Sequence, residues 1–255
     1  MTENTLPQSQ DIRLQGLSVG YAQGRRAPVV VAGGIGATAR GGQLTCLIGR
    51  NGTGKSTLLR TLAGFQQPLA GSLTLAGQDL TRLSLRQRAR LVSVVLTQRP
   101  DLVNATAREV VALGRSPHTG FWGTLRPVDL EAVARAMRLT ATEPLAQRRF
   151  STLSDGERQR VMVAKALAQA TPVVLLDEPT AFLDYPSRAE LMLLLCRLAH
   201  EQQKTVLLST HDLDLALRLA DHLWLMTGGS LVEGTAQELT ASGHMQQFAG
   251  PLGER

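Results

Sequence analysis

Two cysteines in 255 residues are too few for a disulfide framework. Cys46 lies in an apolar run and Cys196 in an apolar helical pattern. Both read as small buried core residues of a reducing compartment, without metal-ligand spacing. Aromatic residues make up 4% of the chain, which excludes a platform on which nucleic-acid bases could stack. No apolar run approaches the ~20 residues needed to cross a bilayer, and Leu191–Leu195 is a short stretch inside a helical pattern. Residues 1–11 form a polar N-terminal segment with neither a basic start nor an apolar stretch, so no secretory signal is expected. The expectation is a soluble cytosolic protein whose membrane partners, if any, are other chains. Lysine is scarce as well. Lys55, Lys165 and Lys204 are the only ones, so the net charge of +6 rests on arginine. Arg82, Arg86, Arg88 and Arg90 cluster on a short predicted helix and read as a solvated face. No internal repeat or low-complexity tract is visible, and the length suits one large α/β domain or a core with subdomains.

Against these absences stands one dense motif. Gly49, Arg50, Asn51, Gly52, Thr53, Gly54, Lys55, Ser56 and Thr57 fit G-x-x-x-x-G-K-[ST] without a mismatch. The preceding run Leu44–Ile48 reads as a buried strand; the following run Thr57–Ala63 reads as a helix that Gly64 can stop. In that context the glycines let backbone N–H groups turn inward around a polyphosphate, and the helix N-terminus adds its positive end. Lys55 can reach the terminal phosphates and Ser56 can ligate Mg²⁺.

A second cluster lies far along the chain. Val173–Leu176 is an apolar run flanked by Pro172 and Pro179 and reads as a central parallel strand. Asp177 and Glu178 follow at its C-terminal end, where open α/β sheets bind ligands. Asp177 can hold Mg²⁺ and Glu178 can polarise an attacking water. Ser209-Thr-His211 follows another apolar run, Thr205–Leu208, so His211 lands at the C-terminal edge of a strand and can reach a γ-phosphate. His118, His200, His222 and His244 lack such placement and read as surface or capping residues. Ser154 with Glu157 three residues on forms a capping box, opening a helix through Val161–Ala168. That helix end is a second anion site, suited to a nucleotide held by another copy of the chain.

In this order, these motifs resemble the ATP-binding subunits of ABC transporters, over roughly Leu14–Leu239. Gly49–Thr57 resembles the Walker A loop and Val173–Glu178 resembles Walker B with its catalytic glutamate. Gln98, after the strand Leu91–Leu96, resembles the Q-loop glutamine. Leu153–Glu157 resembles the signature motif, Phe182-Leu-Asp184 the D-loop, and His211 the switch histidine. Tyr21 falls where the family places a ring on adenine. The resemblance implies a catalytic set of Glu178, His211, Lys55 and Gln98. It implies metal contacts from Ser56, Gln98 and Asp177. It implies ATP contacts from Tyr21, from 49–57, and, across a head-to-tail homodimer, from Ser154, Gly156 and Asp184. The cofactors would be ATP and Mg²⁺. Three residues depart from the usual pattern: Asp155 replaces a glycine, Glu157 a neutral donor, and Phe182 a small residue.

The segment Val111–His118 resembles one typical of importer ATPases for iron chelates, haem and cobalamin, where a helical subdomain docks on a membrane permease. Thr106 and Glu109 would cap the helix leading to it, and Arg115 is expected on the docking surface. Partners would be a second copy, the permease and, indirectly, a substrate-binding protein, with no nucleic acid. The chain would sit peripherally on the cytoplasmic face of the bacterial inner membrane. Rival readings are another imported cargo, a non-hydrolysing regulatory module, or a non-transport ATPase acting on DNA or ribosomes. The last would carry coiled-coil insertions, zinc-binding cysteine pairs or a second cassette, none of which is seen in the sequence.

The expected fold is a P-loop NTPase core with a parallel sheet, an antiparallel β subdomain and a helical signature-motif subdomain. One domain is expected over 12–240, its helical part near 100–165, with a patternless tail over 241–255. Ile12–Val19, Val29–Val31 and Ser72–Leu75 are predicted antiparallel strands. Leu44–Ile48, Leu91–Leu96, Val173–Leu176, Val206–Ser209 and His222–Met226 are predicted to build the core sheet. Gly228-Gly229 reads as a hairpin turn before Ser230–Glu233.

Overall fold

A computed structural model describes residues 10–24, 26–97, 102, 104–120 and 122–249. In chain order the strands are β1 (Ile12–Gln23), β2 (Arg26–Ala39), β3 (Leu44–Gly49), β4 (Ala70–Leu75), β5 (Gln78–Asp79), β6 (Val92–Val95), β7 (Val173–Asp177), β8 (Thr205–Ser209), β9 (His222–Thr227) and β10 (Ser230–Gly234). The helices are α1 (Lys55–Leu62), α2 (Leu85–Leu91), α3 (Ala107–Ala112), α4 (Pro127–Leu139), α5 (Asp155–Ala168), α6 (Tyr185–Gln202), α7 (Leu213–Leu219), α8 (Ala236–Ala241) and α9 (His244–Ala249).

The central sheet runs β10-β9-β3-β8-β7-β6. All its pairs are parallel except β9 with β10, which the Gly228-Gly229 turn joins as a hairpin. Both of its faces are covered. Cys46, Ile48, Val174, Leu176, Val206 and Leu208 enter one core with the helices. Leu47, Val173, Leu175 and Leu207 enter another, against α1 and the second sheet. Strands buried on both sides read as continuous apolar runs, which is why their positions were predictable from sequence. The second sheet, β2-β1-β4-β5, is antiparallel. Its β2 extends from Arg26 to Ala39, well beyond the predicted Val29–Val31. Bulges in its pairing with β1 break the alternation there and hide the strand from a period-2 search.

Two further expectations are corrected. Past Ala241 the chain is not patternless through the described residues: α9 turns Met245 and Phe248 onto the core, a pairing three residues apart. Cys196 is only partly buried, on a helix face that α6 turns partway to solvent; Cys46 is fully enclosed, and burial pushes its thiol far up. No helix among the described residues is long and apolar enough to cross a membrane.

Candidate functional site

The phosphate loop occupies the turn from β3 into α1. Gly54 caps α1 with φ 103° and no side-chain hydrogen bond, so the first N–H groups of the helix remain available to an anion. A side chain could not replace its hydrogen: a Cβ there would lie 2.4 Å from Val31 Cγ1. At the far end of α1, Gly64 takes φ 73° and Phe65 N–H donates to Arg60 O at 2.9 Å, a glycine stop of the expected kind. Lys55 is 5% exposed. Its Nζ donates to Gly49 O at 2.8 Å and Arg50 O at 3.1 Å, arching back over the loop. Burial lowers its pKa, while the charges of Glu178 and Asp177 oppose that shift. The ammonium therefore lies within the field of both carboxylates.

Asp177 and Glu178 leave β7 beside the loop. Ser56 Oγ donates to Asp177 Oδ1 at 3.3 Å, and Ser209 Oγ, at the end of β8, donates to the same oxygen at 2.8 Å. Thr97 Oγ1 donates to the Asp177 carbonyl at 2.8 Å. The Ser56 hydroxyl and the Asp177 carboxylate form a hard-oxygen donor pair, which suits a small divalent cation that keeps waters and phosphate oxygens as its other ligands. Glu178 adopts φ 49°, left-handed for a non-glycine residue, a strain of about 1–3 kcal/mol that clusters at functional sites. Its carboxylate Oε1 meets His211 Nε2 directly. Lys55, Ser56, Asp177, Glu178 and His211 thus converge at the C-terminal edge of three neighbouring strands. Gln98 lies outside the described residues.

Tyr21 is half exposed on β1, and its hydroxyl shares a hydrogen bond with Thr57 Oγ1 at 3.0 Å. The ring therefore stands beside the first turn of α1, next to the phosphate loop.

The segment that resembles the signature motif opens α5. Ser154 caps α5 in a full capping box: Ser154 N–H donates to Glu157 Oε2 at 2.8 Å and Glu157 N–H donates to Ser154 Oγ at 3.3 Å. The Ser154 N–H, and then Arg148, 2.8 Å from Glu157 Oε1, hold the Glu157 carboxyl below its ordinary range. Glu157 is thus committed within its own chain. Asp155 opens α5 in helical conformation, which any residue can adopt, so its replacement of a glycine costs no strain. Ser154, Asp155, Gly156, Arg160, Phe182 and Asp184 line a groove of about 410 Å³. Asp184 caps α6 through Ser187 N–H at 3.2 Å; the Ser187 hydroxyl, then its N–H, lower its pKa. Phe182 is 75% exposed with φ 65°.

The expected docking segment needs correction. Thr106 and Glu109 form the predicted capping box on α3, but Leu113–His118 is a 3₁₀ turn and Arg115 is 5% exposed. Arg115 Nε and Nη2 donate to Asp129 Oδ1 at 3.1 and 2.9 Å, and Nη1 donates to Ala168 O at 2.7 Å. A Cβ on Gly114 would lie 2.2 Å from Lys165 O. The pair Gly114-Arg115 therefore ties three helices together rather than meeting a partner. Nor is the arginine cluster simply solvated: Arg88 donates to Leu83 O and Gly64 O, and Arg86 to Pro117 O and Thr119 O. His118, His200 and His222 are likewise engaged, with Gln169 O, Asp221 and Glu233.

Sequence reasoning passed over Ser209 and Thr97. The one available signal for Ser209 was a hydroxyl directly after the apolar run Val206–Leu208, two residues before His211.

A phosphate loop, an acidic pair and a histidine on adjacent parallel strand ends define a nucleotide-hydrolysing P-loop cassette. The ABC transporter family model matches residues 33–181. The chain is 40% identical over 221 residues to an uncharacterized ABC transporter ATP-binding protein of Methanocaldococcus jannaschii, covering 87% of this chain and 74% of that one. It is 42% identical over 200 residues to a cobalamin import ATP-binding protein of Halobacterium salinarum, 78% of this chain and 50% of its relative. With the ferric enterobactin transport ATP-binding protein of Escherichia coli it shares 36% over 241 residues, 93% and 87% of the two chains. A dimeric bacterial ABC transporter cassette superposes with a TM-score of 0.75 at 25% identity, covering 88% of this chain and 98% of its own. The chain belongs to the ABC transporter family and is an ATP-binding, ATP-hydrolysing subunit.

Proposed function

We propose that this subunit powers import of an iron chelate through a separate membrane permease, on whose cytoplasmic side it sits as a head-to-tail homodimer. The observation that carries the catalytic part is the convergence of Lys55, Ser56, Asp177, Glu178 and His211. Lys55 and the N–H groups of residues 49–57 bind the phosphate chain, and Tyr21 packs on adenine. Ser56 and Asp177 would hold Mg²⁺, which would supply charge neutralisation along the phosphate chain. Glu178 takes a proton from the water that attacks the γ-phosphorus. The bond to the bridging oxygen breaks, giving ADP and inorganic phosphate. His211 holds Glu178 in place and donates to the γ-phosphate.

Gly156 supports the dimer. Within one chain nothing demands a glycine there: an added Cβ would meet Ser187 Oγ at an ordinary 3.5 Å and φ is helical. Close approach by another molecule explains it, and the phosphate of a partner's ATP would be that molecule, reaching the first turn of α5 beside the capping box. For the permease, the exposed side chains Phe65 and Leu85 offer an apolar surface. A groove of about 370 Å³ lined by Phe65, Leu85, Ala89 and Val94 runs beside it, suited to a short amphipathic helix. The iron-chelate cargo follows the enterobactin relative; cobalamin is the alternative.

Lys55→Ala should weaken ATP binding roughly tenfold to a hundredfold, the loss of one charge-assisted contact of about 1.5–3 kcal/mol. Titration calorimetry reads this, and affinity within twofold of wild type would remove the phosphate-loop role. Cargo is tested by deleting the subunit and measuring cellular uptake of labelled ferric catecholate, ferric hydroxamate and cobalamin. Loss of a ferric chelate is expected. Loss of cobalamin alone would transfer the reading to that cargo, and no loss in any arm would end the reading as an importer of iron chelates or cobalamin.

A further inference from the structure

Ser209 joins the two carboxylate residues of the site, and nothing in the mechanism above uses it. It is fully buried and pairs with Asp177 in the parallel register of β7 and β8. Its Oγ–H donates to Asp177 Oδ1 at 2.8 Å, and the same Oγ accepts the Glu178 N–H at 2.9 Å. The Glu178 N–H lies beside a left-handed turn, and no ladder bond reaches it because β7 ends at Asp177. An apolar residue at 209 would leave that N–H without this partner and release one oxygen of Asp177. Ser56 donates to that same oxygen, so Ser209 would keep it in place when Ser56 turns toward a metal.

We propose that Ser209 is a positioning residue for hydrolysis: its hydroxyl fixes Asp177 for Mg²⁺ and, through the Glu178 N–H, fixes the strained turn that aims the Glu178 carboxylate. The donor chemistry of Ser56 and Asp177 fits the cation, and the proposal rests on the ATPase reading above. Outer hydrogen bonds to metal-holding residues commonly account for about 10–100-fold in metal affinity or activity.

The test uses the full chain with Ser209→Ala and Ser209→Thr. Steady-state ATP hydrolysis gives kcat and KM. ATP affinity is measured with Mg²⁺ and in EDTA in a Glu178→Gln background, where turnover does not interfere. Ser209→Ala should lower kcat about tenfold or more, with KM for MgATP rising by no more than severalfold. It should also cut the Mg²⁺-linked gain in ATP affinity severalfold while affinity in EDTA stays within twofold. Ser209→Thr, which keeps the hydroxyl, should recover both to within about threefold. An Ala variant with wild-type kcat and Mg²⁺ response overturns the inference. So does equal loss of affinity with and without Mg²⁺, which marks a merely structural residue. So does a Thr variant that is folded by its melting curve yet as impaired as Ala. A wild-type chain that shows the Mg²⁺ response but is dispensable for uptake instead sinks the import reading and leaves Ser209 standing.

Discussion

Glu178→Gln should bind ATP with near wild-type affinity and hydrolyse it roughly 10²–10⁴-fold more slowly, the usual contribution of a positioned base. The amide keeps the size of the side chain and can still meet His211, but it cannot take a proton from water. The strained backbone at φ 49° and its N–H bond to Ser209 are untouched. ATP that binds without being cleaved should hold two copies together, so the variant should elute as an ATP-dependent dimer in size-exclusion chromatography with light scattering. Normal turnover would remove Glu178 from the mechanism. Slow turnover without any dimer would separate catalysis from the composite site that Ser154 and Gly156 are proposed to complete.

The second large effect concerns Arg115. From sequence, Arg115→Glu would change permease contact and spare the fold. The buried geometry reverses that expectation. The guanidinium is bonded to the Asp129 carboxylate of α4 and the last carbonyl of α5, and Asp129 is fully enclosed. Removing the cation leaves Asp129 Oδ1 without its two guanidinium donors and only Arg126 on Oδ2, and breaking a buried pair costs about 3–5 kcal/mol. Arg115→Glu adds a second negative charge at the same place. Melting followed by circular dichroism should show a large loss of stability or failure to fold, with poor uptake as a consequence. A melting point within 2–3 °C of wild type, a difference of roughly 1 kcal/mol in a protein of this size, would contradict the buried pair. The same pair has a pH signature. The Arg126 N–H, then Arg115, depress Asp129 to about 2. A carboxylate depressed in the fold contributes stability that is present above its unfolded pKa, near 3.9, and is lost as pH falls toward about 2. Asp129→Asn should flatten that acid limb, and an unchanged slope below pH 4 would contradict the assignment.

These residues show which features of the chain are legible in one dimension. The phosphate loop, the acidic pair after β7 and the histidine after β8 each sit at the end of an apolar strand. A parallel sheet brings such ends to one edge whatever the intervening sequence. The capping boxes at Thr106 and Ser154 are local and equally readable. Arg115 misled because a charge between Gly114 and Pro117 looks like an exposed turn, while its partner lies fourteen residues away on another helix. Arg88 misled for the same reason: one of its carbonyl partners, Gly64 O, lies twenty-four residues away, past α1. The bulged β2 and the short α9 lack a sustained period, and only packing against the core defines them. Ser209 needs the register of two non-consecutive strands before its link to Asp177 appears.

Whether hydrolysis at this site drives transport is answered most directly in a strain lacking the subunit. The strain is complemented with the wild type or with Glu178→Gln at matched protein levels, and uptake of a labelled ferric chelate is followed over time. Wild type should restore uptake, and Glu178→Gln should leave it at the level of the deletion although it binds ATP. Equal uptake from the two proteins, or full uptake without either, would contradict an ATP-powered importer built on this chain.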